Sequence, residues 1–205
     1  MLSAMGDSTM RSQAVLHKTS HIRPGIRRLW NSDQAILVDH FQRLDPPTRH
    51  QRFHGAVSDC FLADYAEKLL SADSVVFGAF PDGHLRGVAE LRGFLGSWSR
   101  TAEVALLVEP AWQDAGIGDA LLNRLIAAAQ NRGVKKLHMM CLRENVAMRN
   151  LAKKHKAKLE INISDIEATL DPHWPTPMSV YQEMFGETRA YLGMFFHPPH
   201  RHNSR

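Results

Sequence analysis

Val108-Glu109-Pro110-Ala111-Trp112-Gln113-Asp114-Ala115-Gly116-Ile117-Gly118 is the stretch whose reading decides the fold of this chain. Upstream of it, Thr101 to Val108 is a run of β-forming residues. Downstream, Ile117, Leu121, Leu125 and Ala128 recur at helical spacing through Gln130. The order strand, glycine turn, helix brings free backbone N–H groups and the positive end of a helix dipole to one point, an arrangement that binds phosphate. The spacing Gln-x-x-Gly-x-Gly is neither the dinucleotide fingerprint Gly-x-Gly-x-x-Gly nor the Gly-x-x-x-x-Gly-Lys of nucleotide hydrolases.

Working outward, the pattern predicts a strand over His21-Ile22-Arg23-Pro24. A helix capped by Ser32 follows, with Ala35, Ile36, Val38, Phe41 and Leu44 as its apolar positions, and Pro46-Pro47 stops it. A second helix presents Phe61, Leu62, Tyr65, Ala66, Leu69 and Leu70. Val75 to Phe80, the turn residues Pro81-Asp82-Gly83 and Arg86 to Arg92 read as a β-hairpin. Beyond the glycine-turn helix, which Gly133 ends, Leu137 to Leu142 is a strand and Asn145 caps another helix. Leu159 to Ile163 and Ile166 to Leu170 close as strands. The order is β-αα-βββ-α-β-α-ββ. Residues 1–20 read as a flexible leader, 21–170 as the domain, and 171–205 as an appended segment with a disordered end.

At 205 residues with 44% hydrophobic content, the chain is long enough to bury a core, and no apolar run approaches membrane-spanning length. The polar start lacks the basic-then-apolar layout of a secretion signal. Two cysteines far apart, Cys60 and Cys141, read as buried thiols in a reducing cytoplasm. A net charge of +4 and a pI near 9.3 favour anionic ligands without pointing to nucleic acid or a membrane as partner. His197, His200 and His202 lie in the terminal tail with no Cys or carboxylate beside them, so no metal site is expected.

The turn with its flanks, Ala102 to Val108 and Pro110 to Gly118, together with Asn145 to Lys154, resembles the GNAT superfamily of N-acetyltransferases. The likeness covers roughly Ile22 to Leu170. A fainter likeness over Phe41 to Phe53 points toward bacterial protein-lysine acetyltransferases. The resemblance implies an α/β fold: a mixed, twisted sheet of about seven strands flanked by helices on both faces. It also implies acetyl-CoA as cosubstrate. Its pyrophosphate would be held by Gln113, Asp114, Ala115, Gly116, Ile117, Gly118 and Asp119, and its pantetheine arm by the backbone of Leu107 and Val108 and the side chain of Asn145. Three positions depart from the family pattern. Ala115 replaces a basic residue, Ala152 replaces a tyrosine that often serves as general acid, and Lys156-Ala157 stands where Gly-Phe is usual. Asp119 adds a carboxylate just past the glycines.

Acyl transfer to an amine needs a base, because an alkyl amine is protonated at neutral pH. The resemblance marks Glu103, in Ala102-Glu103-Val104-Ala105, as that base. Glu90 on the preceding strand is a second candidate, whose bland reading is an ion pair with Arg92 or Arg100. Tyr181 and Tyr191 are packing residues or proton donors to the leaving thiolate. The expected function is acetyl transfer to a primary amine, of a protein lysine or a small metabolite, by direct attack in a ternary complex. Two rivals stand beside it: a non-catalytic acyl-CoA-binding sensor, and an acetyltransferase acting on charged tRNA. The apolar residues of 172–196 suffice to cover a neighbouring subunit in a homodimer or the chain's own sheet, or the segment caps the acceptor cleft.

Overall fold

The runs of apolar and β-branched residues become seven strands: β1 (Gly25–Arg28), β2 (Ser74–Phe80), β3 (Gly87–Arg92), β4 (Thr101–Val108), β5 (Lys136–Leu142), β6 (Lys158–Ile161) and β7 (Asp165–Leu170). Five helices connect these strands among the described residues: α1 (Gln34–Arg43), α2 (Pro46–Phe53), α3 (Asp59–Leu69), α4 (Ile117–Asn131) and α5 (Val146–Lys154). This computed structural model describes residues 25–70, 73–95 and 100–183. The strands form one mixed sheet in the order β1-β2-β3-β4-β5-β7-β6. Every neighbouring pair is antiparallel except β4 and β5, which α4 connects as a parallel crossover.

Strand alternation sorts the side chains onto two faces. Val75, Phe77, Ala89, Leu91, Ala102, Val104, Leu137 and Met139 pack beneath α4 with Leu121, Leu122 and Leu125. Val76, Val88 and Leu107 face the other way, against Leu37 and Phe41 of α1 and Leu62, Ala66 and Leu69 of α3. Helices thus cover both faces, as the resemblance implies. Gly87 fixes how closely α4 approaches: a Cβ there would lie 3.2 Å from Leu121 and 3.3 Å from Ile117.

Several expectations are corrected. The first strand occupies Gly25–Arg28, and residues 21–24 lie outside the described residues. Ser32 does not cap α1; the position is taken by Asp33, whose carboxylate instead accepts two hydrogen bonds from Arg27 at 2.7 and 2.8 Å. The buried side of α1 is Leu37, His40, Phe41 and Leu44, while Ile36 faces solvent. Pro46-Pro47 does not simply end a helix. It opens α2, because proline suits the first helical turn and the Asp45 carboxylate accepts from the Thr48 N–H at 2.7 Å. Phe61 and Cys60 are exposed; Cys141 is buried.

Of the appended segment only residues 171–183 are described, and their polar contacts lie at the end of α4 opposite the glycine turn. Residues 177–183 are helical, and Ser179 and Glu183 hydrogen-bond Asn131 and Arg132 at the C-terminal end of α4. Tyr181 there is largely exposed. Tyr191, the three tail histidines and the whole leader lie outside the described residues. No helix among the described residues is long and apolar enough to cross a membrane.

Because the Asp45 carboxylate supplies the cap of α2, Asp45→Ala is expected to cost about 1 kcal/mol of folding stability in a urea titration. The amide of Thr48 is expected to lose its hydrogen-exchange protection first.

Candidate active site

The parallel pairing of β4 with β5 covers Thr101↔Lys136 to Val104↔Met139 and goes no further, although both strands continue. Ala105 to Val108 stay bonded to β3 on their outer side, and Met140 to Leu142 to β7. Between them a wedge opens, its apex at Val104 and Met139 and its mouth at the glycine turn. From Val108 to Val104 the wedge is about 13 Å deep. Backbone groups along its two edges are unpaired across the gap. A cleft of about 800 Å³ follows it, from Gly116, Gly118 and Asp119 at one end to Arg92, Glu103 and His138 at the other.

The turn at the mouth is built as its sequence suggests. Asp114 and Gly116 hold φ of 59° and 79°, in the left-handed region that glycine adopts without strain. The Gln113 side chain donates to the Val108 carbonyl at 3.0 Å, tying the turn to the end of β4. Among the described residues, none of the N–H groups from Asp114 to Asp119 donates to a backbone carbonyl. They are the orphan donors of the α4 N-terminus and point to an anion. Gly118 leaves this end bare: a Cβ there would meet only Leu151 at 3.7 Å and Val108 at 4.0 Å, so packing does not require glycine.

Of the residues expected to hold the cosubstrate, Leu107, Val108, Gln113, Asp114, Gly116, Gly118, Asp119 and Asn145 line the cleft. Ala115 is exposed outside it, and the Ile117 side chain is buried in the core under α4. The Asn145 side chain also accepts from the Met148 N–H at 3.0 Å, so it caps α5 as the sequence predicts. The Asp119 carboxylate does not stand alone against a phosphate. Burial raises its pKa, but Lys154 at 3.0 Å and His155 at 2.8 Å outweigh that and hold it below the ordinary range. Lys154 also lines the cleft, so a cation stands at this end despite Ala115. Lys156 keeps the left-handed turn, φ 58°, that a glycine makes more easily.

At the apex, register lines up Arg92, Glu103, His138 and Thr169 in one row across β3, β4, β5 and β7. All four are on the face covered by α1–α3. Glu103 is 74% exposed and lies 3.6 Å from Arg92. Glu90 is on the same face but is not a cleft group. It is 1% exposed, and it accepts from Arg52 at 2.6 Å and from the Tyr65 hydroxyl at 2.5 Å. Burial and the Glu90 charge push the Tyr65 phenol well above its ordinary value. Arg92 is 3.9 Å from Glu90, so the bland reading was right about an ion pair and missed its main partner. Arg52 comes from α2, the helix hidden by Pro46-Pro47, which also brings Thr48 and Gln51 to the cleft wall.

His138 escaped the sequence reading because it stands in an apolar run. Its Nδ1 lies 2.7 Å from the Glu167 carboxylate of β7, and both line the cleft. Ala152, where the family tyrosine would stand, is buried in the core at 2% exposure. Among the described residues no group of three or more His, Cys, Asp or Glu is arranged to hold a metal ion.

Behind the mouth, Glu109 anchors the strand end. It takes hydrogen bonds from His40 at 3.1 Å, Arg43 at 3.2 Å and Arg86 at 2.9 Å. Burial raises its pKa, yet His40 and Arg86 bring it from an ordinary 4.5 down to about 2.

Comparison with known proteins agrees with this geometry. A sequence profile described as the acetyltransferase (GNAT) family matches residues 37–156. Acetyltransferase PA5475 of Pseudomonas aeruginosa is 30% identical over 131 residues, which span 62% of this chain and 70% of that protein. Among solved structures, the GNAT domain of S. lividans PAT superposes with a TM-score of 0.63 at 20% identity, covering 71% of this chain and 89% of that one. The yncA protein of Salmonella typhimurium, solved with its cofactor acetyl-CoA, gives 0.56 at 20% identity, covering 75% and 96%. At such identities the superpositions speak for the fold.

Two substitutions separate the roles of the mouth. Gly118→Ala is expected to leave stability within about 1 kcal/mol of wild type while acetyl-CoA affinity, read by calorimetry, falls about tenfold, or 1.4 kcal/mol. Glu109→Gln is expected to cost about 1–3 kcal/mol of unfolding free energy at neutral pH. Since the folded-state pKa is the lower one, that contribution is complete above pH 4.5 and disappears as pH falls toward 2. Denaturation curves of variant and wild type should therefore converge in acid.

Proposed function

Because this chain belongs to the GNAT acetyltransferase family, and is thereby an acetyl-CoA-dependent N-acetyltransferase, we propose that it acetylates a primary amine by direct attack within a ternary complex, with Glu103 as general base. The observation that carries this reading is the continuity of one cleft from the bare N-terminus of α4 to Glu103. The diphosphate of the cosubstrate is assigned to the N–H groups of Asp114 to Asp119, supported by the α4 dipole and Lys154, while the Gln113 N–H is already given to the Pro110 carbonyl. Its extended amide-containing arm matches the unpaired edges of Ala105 to Val108 and Met140 to Leu142. The acetyl thioester then ends near the apex, where Glu103 stands.

In this scheme each residue has one task. Glu103 removes the first proton from the incoming ammonium, and its exposure lets that proton pass to bulk water. A backbone N–H on the unpaired stretch of β4 next to the apex polarises the thioester oxygen. Arg92, 3.6 Å away, orients the Glu103 carboxylate toward the cleft. The Arg52–Tyr65–Glu90 cluster is assigned a structural role beneath α2, since the Glu90 carboxylate is sealed from the cleft. The acceptor is a protein lysine or a small amine, entering between α2 and the apex.

Glu103→Gln is expected to keep acetyl-CoA affinity and lower turnover by about 10²–10⁴, read as thiol release with a panel of lysine peptides and small primary amines. Tight binding of acetyl-CoA by the wild type with no thiol release across the panel would favour a sensor that has lost its chemistry. An unchanged rate in the variant would remove Glu103 from the mechanism.

A further inference from the structure

Acetyl transfer moves two protons off the acceptor nitrogen, and Glu103 accounts for one. The second must leave the nitrogen after attack, and the departing sulfur must gain one. The family tyrosine that often does this is absent: Ala152 is buried in the core, and Tyr181 sits beside the C-terminal end of α4. At the apex, the only histidine in the row that contains Glu103 is His138, its register neighbour on β5.

The geometry points to His138, held by Glu167, as the second proton carrier of the reaction; this rests on the acetyltransferase reading above. An ionised carboxylate only accepts hydrogen bonds, so the 2.7 Å contact assigns the Nδ1 proton to the Glu167 side. The lone pair is then on Nε2, the nitrogen left for the cleft. Exposure separates the two carriers. Glu103, at 74%, exchanges its proton with water, and His138, at 34%, is the less open of the two.

The step balances. Glu103 takes one proton from the ammonium, and the freed nitrogen pair forms the C–N bond while the carbonyl pair moves onto oxygen. His138 Nε2 takes the second proton from that nitrogen. The oxygen pair returns, the C–S bond breaks with its electrons on sulfur, and Nε2 hands its proton to the thiolate. Amide and thiol are formed, His138 is again neutral, and Glu103 carries the one proton released to solvent. Glu167 is a positioning residue: it fixes which nitrogen faces the reaction.

Three measurements on the full chain test this. Diethyl pyrocarbonate acylates the bare nitrogen of an imidazole, and peptide mass spectrometry reads each site. His138 should be labelled in the free protein and protected at least fivefold by saturating coenzyme A. His138→Ala should bind acetyl-CoA as wild type does in calorimetry, lose about 10²–10⁴ in turnover on the amine panel or on hydroxylamine, and recover with added imidazole. Glu167→Gln should lower kcat at unchanged KM for acetyl-CoA and gain nothing from imidazole. Wild-type turnover in His138→Ala, labelling that bound coenzyme A does not slow, or a loss that imidazole fails to repair would each overturn the proposal and leave the acetyltransferase reading standing. Failure of the wild type to bind coenzyme A, or to turn over any acceptor, would sink both.

Discussion

The constraint on which the site depends is that β4 and β5 are parallel and stop pairing halfway along. A parallel pair cannot be closed by a hairpin, and here the long helical crossover of α4 brings its two strands together. Each strand is held on its other side by an antiparallel partner, β3 or β7, which keeps it extended after the pairing ends. The gap is therefore not a fraying end. It is a fixed slot with hydrogen-bonding walls, and unsatisfied backbone groups in it favour an occupant that brings amides of its own. The Glu109 cluster with His40, Arg43 and Arg86 holds the β4 wall at the mouth, and Gln113 satisfies the last carbonyl there.

Charge on the α1–α3 face is graded with depth. Glu90, Arg52 and Tyr65 form a cluster in which the buried Glu90 carboxylate accepts from both the guanidinium and the phenol, so its charge is compensated. One register row farther on, Arg92 and Glu103 face the cleft, and then His138 with Glu167. Two acidic residues that look alike in sequence, Glu90 and Glu103, thus have opposite environments. Neither alternation nor spacing separates them, because both occupy the same face of the sheet. What separates them is α2, and Pro46-Pro47 concealed that helix.

How much was legible follows the range of the interactions. The glycine turn, the α4 stripe, the hairpin and the Asn145 cap are local, and each was readable from consecutive residues. Asp45 before a proline pair is also a local signal, a cap followed by proline at the first helical position, but proline was read as a terminator. Ser32 lost its capping place because the chain folds Asp33 back onto Arg27, a contact no window around Ser32 contains. His138 is the clearest case. In the run Leu137 to Leu142 it reads as core, and only the pairing of β5 with β7 brings Glu167 beside it. The described part of the appended segment meets Asn131 and Arg132, which are distant in sequence, so no local pattern names those partners.

The wedge also changes what occupancy means for the protein as a material. The sheet consists of an antiparallel block, β1 to β4, and a second one, β5 to β7, joined edge to edge by only the four register pairs from Thr101↔Lys136 to Val104↔Met139. A ligand arm bonded to both walls acts as a stitch across that joint. Its binding free energy then enters the cohesion of the two blocks directly, about 2.7 kcal/mol at a hundredfold excess over Kd. Melting temperature and resistance to proteolysis become functions of cosubstrate concentration, and the emptied protein is the one that proteases find first.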